Sequence, residues 1–356
     1  MKHPVYLDYN ATTPVDPEVA KEMIPYFELY YGNPSSSYSI GRSTKEAIEK
    51  ARVQVAELIN CKPEEIFFTS CATESNNLAI QGIARAHSDK GRHIITSAIE
   101  HPAVTEVCKY LGSQCFEITY LPVDQYGRVD PGQVKDAIRP DTILITIMHA
   151  NNEVGTIQPI HEIGMIAREK KIVFHTDASQ SVGKIETDVN MLGVDLLTIA
   201  GHKLYAPKGI GALYLRKGTL IENLMHGAGQ EKGIRPGTEN VIHIVGLGKA
   251  CEVALRDFKV NQRNMMVSRD RLLNGLVSRL GNKVHINSNL DNCLPNTLSV
   301  AFENISAHVL AAVISNDVFI STGSACHSGE TTISSVLRAM NLDFRTAAAT
   351  VRISTG

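Results

Sequence analysis

The 356-residue chain is 43% apolar and sets 35 Lys and Arg against 37 Asp and Glu, for a formal charge of −2. That is enough apolar material for two or perhaps three domains with sizeable cores, and it excludes an extended disordered chain. The near-neutral balance provides no global field to recruit nucleic acid or an anionic membrane, so the expected partner is small or local.

Taken in chain order, Ile66 to Thr69 is an expected strand, and His93 to Ser97, Thr142 to Met148, Ile172 to His175, Leu196 to Ile199 and Gly211 to Leu215 are the others. Between them, Glu74 to His87, Pro102 to Leu111, Pro131 to Ala137 and Ile160 to Lys170 carry helical spacing. Short β-rich runs alternating with helices predict α/β units around a mainly parallel, buried sheet from about Glu64 to Leu215. From about Ile244 to Leu280 a long amphipathic pattern is expected to lead into a second unit, which contains Asn296 to Phe302 and the Gly/Ser-rich stretch near Ser321.

Among the longest apolar runs, Thr142 to Met148 and Asp195 to Ala200 fall far short of the roughly 18 to 20 residues that span a bilayer. Met1 to Asp8 carries no secretory signal pattern, so the expectation is a soluble, cytoplasmic protein. Seven scattered cysteines with no CxxC pair predict no disulfide framework and no metal site, and leave at least one thiol free.

Open α/β sheets bind ligands beyond the carboxyl ends of their strands, so polar residues just after apolar runs are the candidates. After Ile66 to Thr69, a small-residue turn enters a helix whose first amides lie at Ala72 and Thr73: a phosphate site, or an ordinary Ser/Thr cap. Asp177 follows the next-but-two strand, with Gln180 three residues on. It either caps a helix or meets a buried cation such as a protonated pyridine nitrogen, because an ionised carboxylate there needs a cation or several donors. After Asp195 to Ala200 come Gly201, His202 and Lys203. A desolvated lysine at such a place can form a Schiff base with a carbonyl cofactor, whereas an ordinary strand-end lysine is only solvated. Pyridoxal phosphate (PLP) requires a phosphate cradle, an acid for its ring nitrogen and a lysine for its aldehyde, and these three places supply that combination. A fourth place, Ser321-Thr-Gly-Ser-Ala-Cys-His-Ser-Gly, sets Cys326 among small residues and His327, which predicts an accessible, functional thiol. The other six cysteines read as structural or incidental.

The chain resembles the cysteine desulfurases of the NifS/IscS kind, in the class V aminotransferase family of fold-type I PLP enzymes. The resemblance rests on Tyr6-Leu-Asp-Tyr-Asn-Ala-Thr-Thr-Pro, Ala72-Thr-Glu-Ser-Asn-Asn, Glu100-His, His149-Ala-Asn-Asn-Glu-Val-Gly, His175-Thr-Asp-Ala-Ser-Gln, Gly201-His-Lys, Arg235-Pro-Gly-Thr, Ser324-Ala-Cys and Val351-Arg-Ile-Ser. These motifs run in the family's order along essentially the whole chain. The resemblance implies a large domain over residues 15–255, with a mainly parallel seven-stranded sheet flanked by helices. It also implies a smaller α+β domain from residues 1–14 and 256–356 that carries the cysteine loop.

By the same resemblance, Lys203 carries the cofactor as a Schiff base and Asp177 keeps the ring nitrogen protonated. His101 stacks on the ring and moves protons. Ala72, Thr73 and His202 hold the phosphate, Gln180 and Asn152 meet the ring's phenolic oxygen or the substrate, and Arg352 clamps the substrate carboxylate in a bidentate pair. L-cysteine displaces Lys203, which then removes the Cα proton. Cys326, as thiolate, takes the sulfur as a persulfide and L-alanine leaves, with His101 or His327 as the candidate activator of the thiol. Thr238 matches a threonine that reaches the phosphate of a neighbouring subunit, which implies a homodimer. The longer cysteine loop resembles the branch that delivers sulfur to acceptor proteins such as an iron–sulfur scaffold or a tRNA-thiolation protein.

Two departures stand out. Ala200 replaces the serine that close relatives place before Gly-His-Lys, so one phosphate contact is expected to be missing unless Ser70 or a water supplies it. The sequence stops at Gly356, where the family continues with helices of the small domain. The alternatives within the fold are a selenocysteine lyase or another PLP aminotransferase or lyase, for which the Cys326 motif would be idle. A binding protein without turnover would have no use for a base, an electron sink, a nucleophile and a carboxylate clamp together. A nucleotide-dependent dehydrogenase lacks its GxGxxG here.

Overall fold

The computed structural model describes residues 4–322, 326–327, 330–331 and 333–356; for residues 326, 327, 330 and 331 it describes the backbone only. A seven-stranded sheet runs in the order Ile66–Thr69, Gly211–Leu215, Leu196–Ala200, Val173–Asp177, Thr142–Thr146, His93–Ser97, Glu117–Leu121. All neighbouring pairs are parallel except those of Gly211–Leu215, which is antiparallel to both its neighbours. Ile66–Thr69 therefore still points the same way as the five parallel strands.

Alternation along each strand divides its side chains between two apolar layers. Phe68, Ile95, Ile145 and Leu197 pack into one layer, while Phe67, Ile94, Leu144 and Leu196 pack into the other. The helices Ala72–Ala86 and Pro102–Ser113 cover the second layer, with Leu78, Ile83, Val104 and Leu111 turned inward. Ser39–Leu58 and Val241–Arg256 lie on the first, with Ile48, Val55, Ile244 and Leu247 inside. Polar residues within the central strands satisfy one another across the ladder: His175 bridges Thr146 at 2.8 Å and Thr198 at 3.1 Å.

A second, four-stranded antiparallel sheet has the order Ser321–Thr322, Thr350–Ser354, Thr297–Phe302, Val284–Ile286. The N-terminus docks beside it. Val5–Tyr6 pairs in parallel with Val318–Phe319, and Asp8 bridges to Ser354.

Three expectations change in detail. The strand expected over Ile172 to His175 runs Val173–Asp177, so Asp177 ends the strand rather than following it. The single pattern from Ile244 to Leu280 is two helices, Val241–Arg256 and Phe258–Leu280, separated at Asp257. The edge strand Glu117–Leu121 and the helix Ser39–Leu58 have no counterpart in the sequence reading. The edge strand exposes or half-exposes four of its five residues, so it offers no apolar run to find.

Candidate active site

The polar residues singled out from the sequence meet at one edge of the large sheet, beyond the carboxyl ends of five strands. There a cavity of about 300 Å³ is lined by Ala72, Thr73, His101, Asn152, Asp177, Gln180, His202 and Lys203 among others. Each comes from a short connection after a strand. Ala72 opens the helix after Ile66–Thr69, and His101 is the N-cap of Pro102–Ser113. Asn152 follows Thr142–Thr146, while Lys203 closes the single 3₁₀ turn Gly201–Lys203 after Leu196–Ala200.

Lys203 Nζ donates to the carbonyl oxygen of Asn10. Desolvation, reinforced by the nearby Arg352 guanidinium, pushes its amine down to about 8 from the ordinary 10.5. A substantial neutral fraction near neutrality is what a Schiff-base lysine needs. Asp177 is 5% exposed, and its carboxylate is held from behind: Asn76 Nδ2 donates to Oδ2 at 2.7 Å, and the Ser179 amide and hydroxyl donate to Oδ1 at 2.9 and 2.5 Å. This anion faces the cavity with no side-chain cation on it, so a protonated ring nitrogen is the partner it lacks.

His101 forms part of the wall with its outer face open to solvent. The Ala103 amide donates to its Nδ1 at 3.1 Å, so in the neutral ring the proton sits on Nε2. Desolvation lowers its pKa from 6.5, which keeps that form present at neutral pH. His202 is pushed further, to about 4, by burial and then by Lys203, and its Nδ1 lies 3.2 Å from the Thr12 hydroxyl.

The helix Ala72–Ala86 has no side-chain cap at its N-terminus, and its first intrahelical bond is donated by Ser75 to Cys71. The earlier amides thus form an open, positively polarised end at the cavity wall, suited to a phosphate. Arg352 lies in the strand Thr350–Ser354, where it pairs with Ser299 and Ser321. Its Nη1 donates to the Asn152 carbonyl at 3.2 Å and its Nη2 to Asp8, while Nε is buried without a partner. One guanidinium face is thereby left for an incoming carboxylate.

Not every expected residue lines this cavity. Thr238 is exposed and lines a separate cavity of about 140 Å³ with Ser70 and Arg235, so Ser70 does not stand in for the hydroxyl missing at Ala200. Cys326 and His327 form a two-residue strand paired with Glu330–Thr331, while their side chains, and hence the question of which histidine activates the thiol, lie outside the described residues. The chain enters this segment beside Arg352, through the Ser321–Thr322 pairing. Burial pushes the Cys61 and Cys108 thiols up to about 12 and Cys293 to about 11, which keeps them protonated and inert. Cys71, read from sequence as incidental, lines the cavity.

The sequence reading missed the residues that hold the named ones. Asn10 accepts from Lys203 and Gln180 through its carbonyl and donates through its side chain to Thr297 at 2.8 Å. Asn76 and Ser179 brace Asp177, and Asp8 braces Arg352. All four sit inside quoted motifs, at spacings of two or four residues from a named position or in the N-terminal segment, and that proximity was the available signal.

The residues present fit pyridoxal phosphate. The cavity joins a braced carboxylate, a lysine of depressed pKa and an uncapped helix end, and the buried Asn76 Oδ1 at its wall has no protein partner. Among the described residues, no cluster of His, Cys, Asp or Glu could hold a metal ion, and no helix is long and apolar enough to cross a membrane.

The chain matches the family described as Aminotransferase class-V over residues 5–356. It is 49% identical over 353 residues to the cysteine desulfurase IscS of Methanosarcina thermophila, an alignment covering 99% of this chain and 87% of that one. To the cysteine desulfurase IscS of Dictyoglomus turgidum it is 49% identical over 357 residues, covering 100% and 90%. Among solved structures it superposes on a NifS-like protein with a TM-score of 0.93 at 42% identity, covering 99% and 93% of the two chains. On SspA in complex with cysteine the TM-score is 0.87 at 41% identity, with 98% of each chain covered.

Proposed function

The chain belongs to the aminotransferase class-V family, and from that premise we propose that it is a cysteine desulfurase that uses pyridoxal phosphate to take sulfur from L-cysteine, releasing L-alanine. The observation that carries the reading is the convergence of Lys203, Asp177 and His101 on one cavity of about 300 Å³. Bound there, the cofactor supplies an aldehyde that condenses with amines and a protonated ring that accepts electrons released at Cα.

The chain's own groups divide the remaining work. Lys203 holds the cofactor and, once displaced by the substrate amine, takes the Cα proton; its lowered pKa favours the free base. Asp177 holds the proton on the ring nitrogen, and the donors behind it keep it ionised. The Nε2–H of His101 and the amides at Ala72 and Thr73 supply donors to the bound groups, with His202 beside the phosphate end. Gln180 and Asn152 orient the ring's oxygen and the substrate, and Arg352 binds the substrate carboxylate. The Cys326 thiolate attacks the substrate sulfur: a new S–S bond forms, the Cβ–S bond breaks, and its electron pair stays with the three-carbon fragment that leaves as alanine. The persulfide on Cys326 is then passed to an acceptor protein, of which an iron–sulfur scaffold or a thiolation enzyme is the expected kind.

The functional unit in this reading is a homodimer in the cytoplasm, where reducing conditions keep a reactive thiol free. An exposed apolar segment supports the dimer, with Ile24, Phe27, Leu29, Tyr30 and Tyr31 all open to solvent. Thr238, exposed and away from its own chain's cavity, is free to serve the partner's. Residues 15–255 form the large domain and residues 1–14 with 256–356 the small one, a division supported by the docking of Val5–Tyr6 and Asp8 on the C-terminal strands.

Borohydride reduction of the yellow holoenzyme followed by peptide mapping tests the site. The cofactor is expected on Lys203, and finding it on Lys208 overturns the assignment. Alanine and sulfide released in equal amounts from L-cysteine test the reaction.

A further inference from the structure

Lys184 is 4% exposed, and the groups that face it electrostatically, Lys203 and Arg352, are cations. A buried lysine so placed is costly and calls for a compensating role. It is aimed by the turn that follows Gln180: the Lys184 amide donates to the Ser181 carbonyl at 2.9 Å, and Gly183 adopts φ +77°. A Cβ at position 183 would lie 2.1 Å from Leu204 Cδ1, so glycine is required twice over. Gln262, from the helix Phe258–Leu280, clamps the turn from outside by donating to the Lys184 carbonyl at 3.2 Å.

The side chain of Lys184 reaches back four residues and donates to Gln180 Oε1 at 3.1 Å. Gln180 Nε2 in turn donates to the Asn10 carbonyl at 2.9 Å, the same oxygen that accepts from Lys203. The amide is thus fixed at both ends. Rotated by half a turn, it would set its NH₂ against the Lys184 amine and its oxygen against the Asn10 oxygen, losing two bonds and facing two like groups.

We infer that Lys184 is a positioning residue, which locks the Gln180 amide so that its remaining N–H is the only polarity it can present to the occupant of the cavity. Gln180 is then a fixed donor, matched to an anionic ring oxygen and mismatched to a hydroxyl that must itself donate. Burial and the neighbouring cations push the Lys184 amine down to about 7, but neutral or charged it remains a donor, so the lock holds on both sides of neutrality. This inference rests on the desulfurase reading only in taking pyridoxal phosphate as the occupant.

The test is a double-mutant cycle on Lys184→Met and Gln180→Leu, read by cofactor affinity of the apoenzyme and by the pKa of the bound cofactor's absorption band. Thermal unfolding of each apoprotein checks folding, with Lys184→Leu in reserve for the methionine variant. Losing a donor makes the ring oxygen more basic. Lys184→Met is therefore expected to weaken cofactor binding about tenfold, in line with one hydrogen bond to a charged group, and to raise the band's pKa by about one unit. In the Gln180→Leu background the same change is expected to shift affinity by less than about twofold, and Lys184→Arg, which keeps a donor, to stay within about threefold of wild type. Wild-type behaviour of Lys184→Met, or effects that add in full to those of Gln180→Leu as a through-space charge would give, overturns the inference. A wild type that binds no cofactor overturns the desulfurase reading instead, and the inference with it.

Discussion

Arg352 Nη2 donates to Asp8 Oδ1 at 2.6 Å, tying together two residues 344 positions apart in sequence. The pair exists because the N-terminal segment lies along the strand that carries Arg352, with Asp8 bridged to Ser354. The guanidinium is thereby oriented before any substrate arrives, and less conformational entropy is lost on binding than a free arginine would lose.

Replacing Arg352 by Lys keeps the charge but loses the planar fork. A hydrogen bond to a charged group is worth about 1.5 to 3 kcal/mol, so KM for L-cysteine is expected to rise on the order of tenfold to a hundredfold while kcat falls less. Steady-state kinetics separates the two; an unchanged KM would remove Arg352 from the substrate site.

Lys203 must be neutral to condense with an aldehyde, and its pKa of about 8 sets where that form prevails. The rate at which apoenzyme takes up pyridoxal phosphate is expected to rise with pH and level off near that value, rather than climbing towards 10.5. Because Arg352 contributes to the depression, Arg352→Met is expected to move the half-rate point to higher pH. Stopped-flow absorbance across a pH series reads both.

Glu231 is buried and accepts from Arg52 through both oxygens at 2.8 Å and from the Phe68 amide at 2.9 Å. Phe68 belongs to the strand that delivers Ala72 and Thr73. Glu231→Ala leaves Arg52 buried and uncompensated, with an expected loss of about 3 to 5 kcal/mol measured by chemical denaturation.

Glu100 is buried, accepts from Ser97 and Met148, and is pushed up to about 8 by desolvation. A carboxyl whose folded pKa is raised holds its proton in the folded state, so its contribution is complete below about 4.5 and is lost as pH rises through about 8. Glu100→Gln removes this titration. The wild-type minus variant difference in Tm is expected to shrink between about pH 5 and pH 9, and a constant difference would contradict the assignment.

The large sheet was legible because its central strands are fully buried and read as apolar runs, and the site because its residues follow those runs. What lay hidden was of two kinds. Glu117–Leu121 is an edge strand, half solvated and without a run, and Ser39–Leu58 buries Arg52 and Gln54 on a helix whose pattern is diluted by polar residues. Asn10, Asn76, Asp8 and Lys184 hold the site together through contacts spanning from 4 to 344 positions in the chain. No local periodicity encodes such contacts, since they exist only once the strands have brought the connections together.

The central claim is that sulfur leaves L-cysteine through Cys326. The most direct measurement compares wild type with Cys326→Ala for sulfide and alanine release from L-cysteine in the presence of a thiol reductant, after both have been shown by their visible spectra to bind cofactor and substrate. The account predicts equimolar sulfide and alanine from the wild type, and neither sulfide nor a persulfide from the variant despite a spectral response to L-cysteine. Undiminished sulfide release by Cys326→Ala would contradict it.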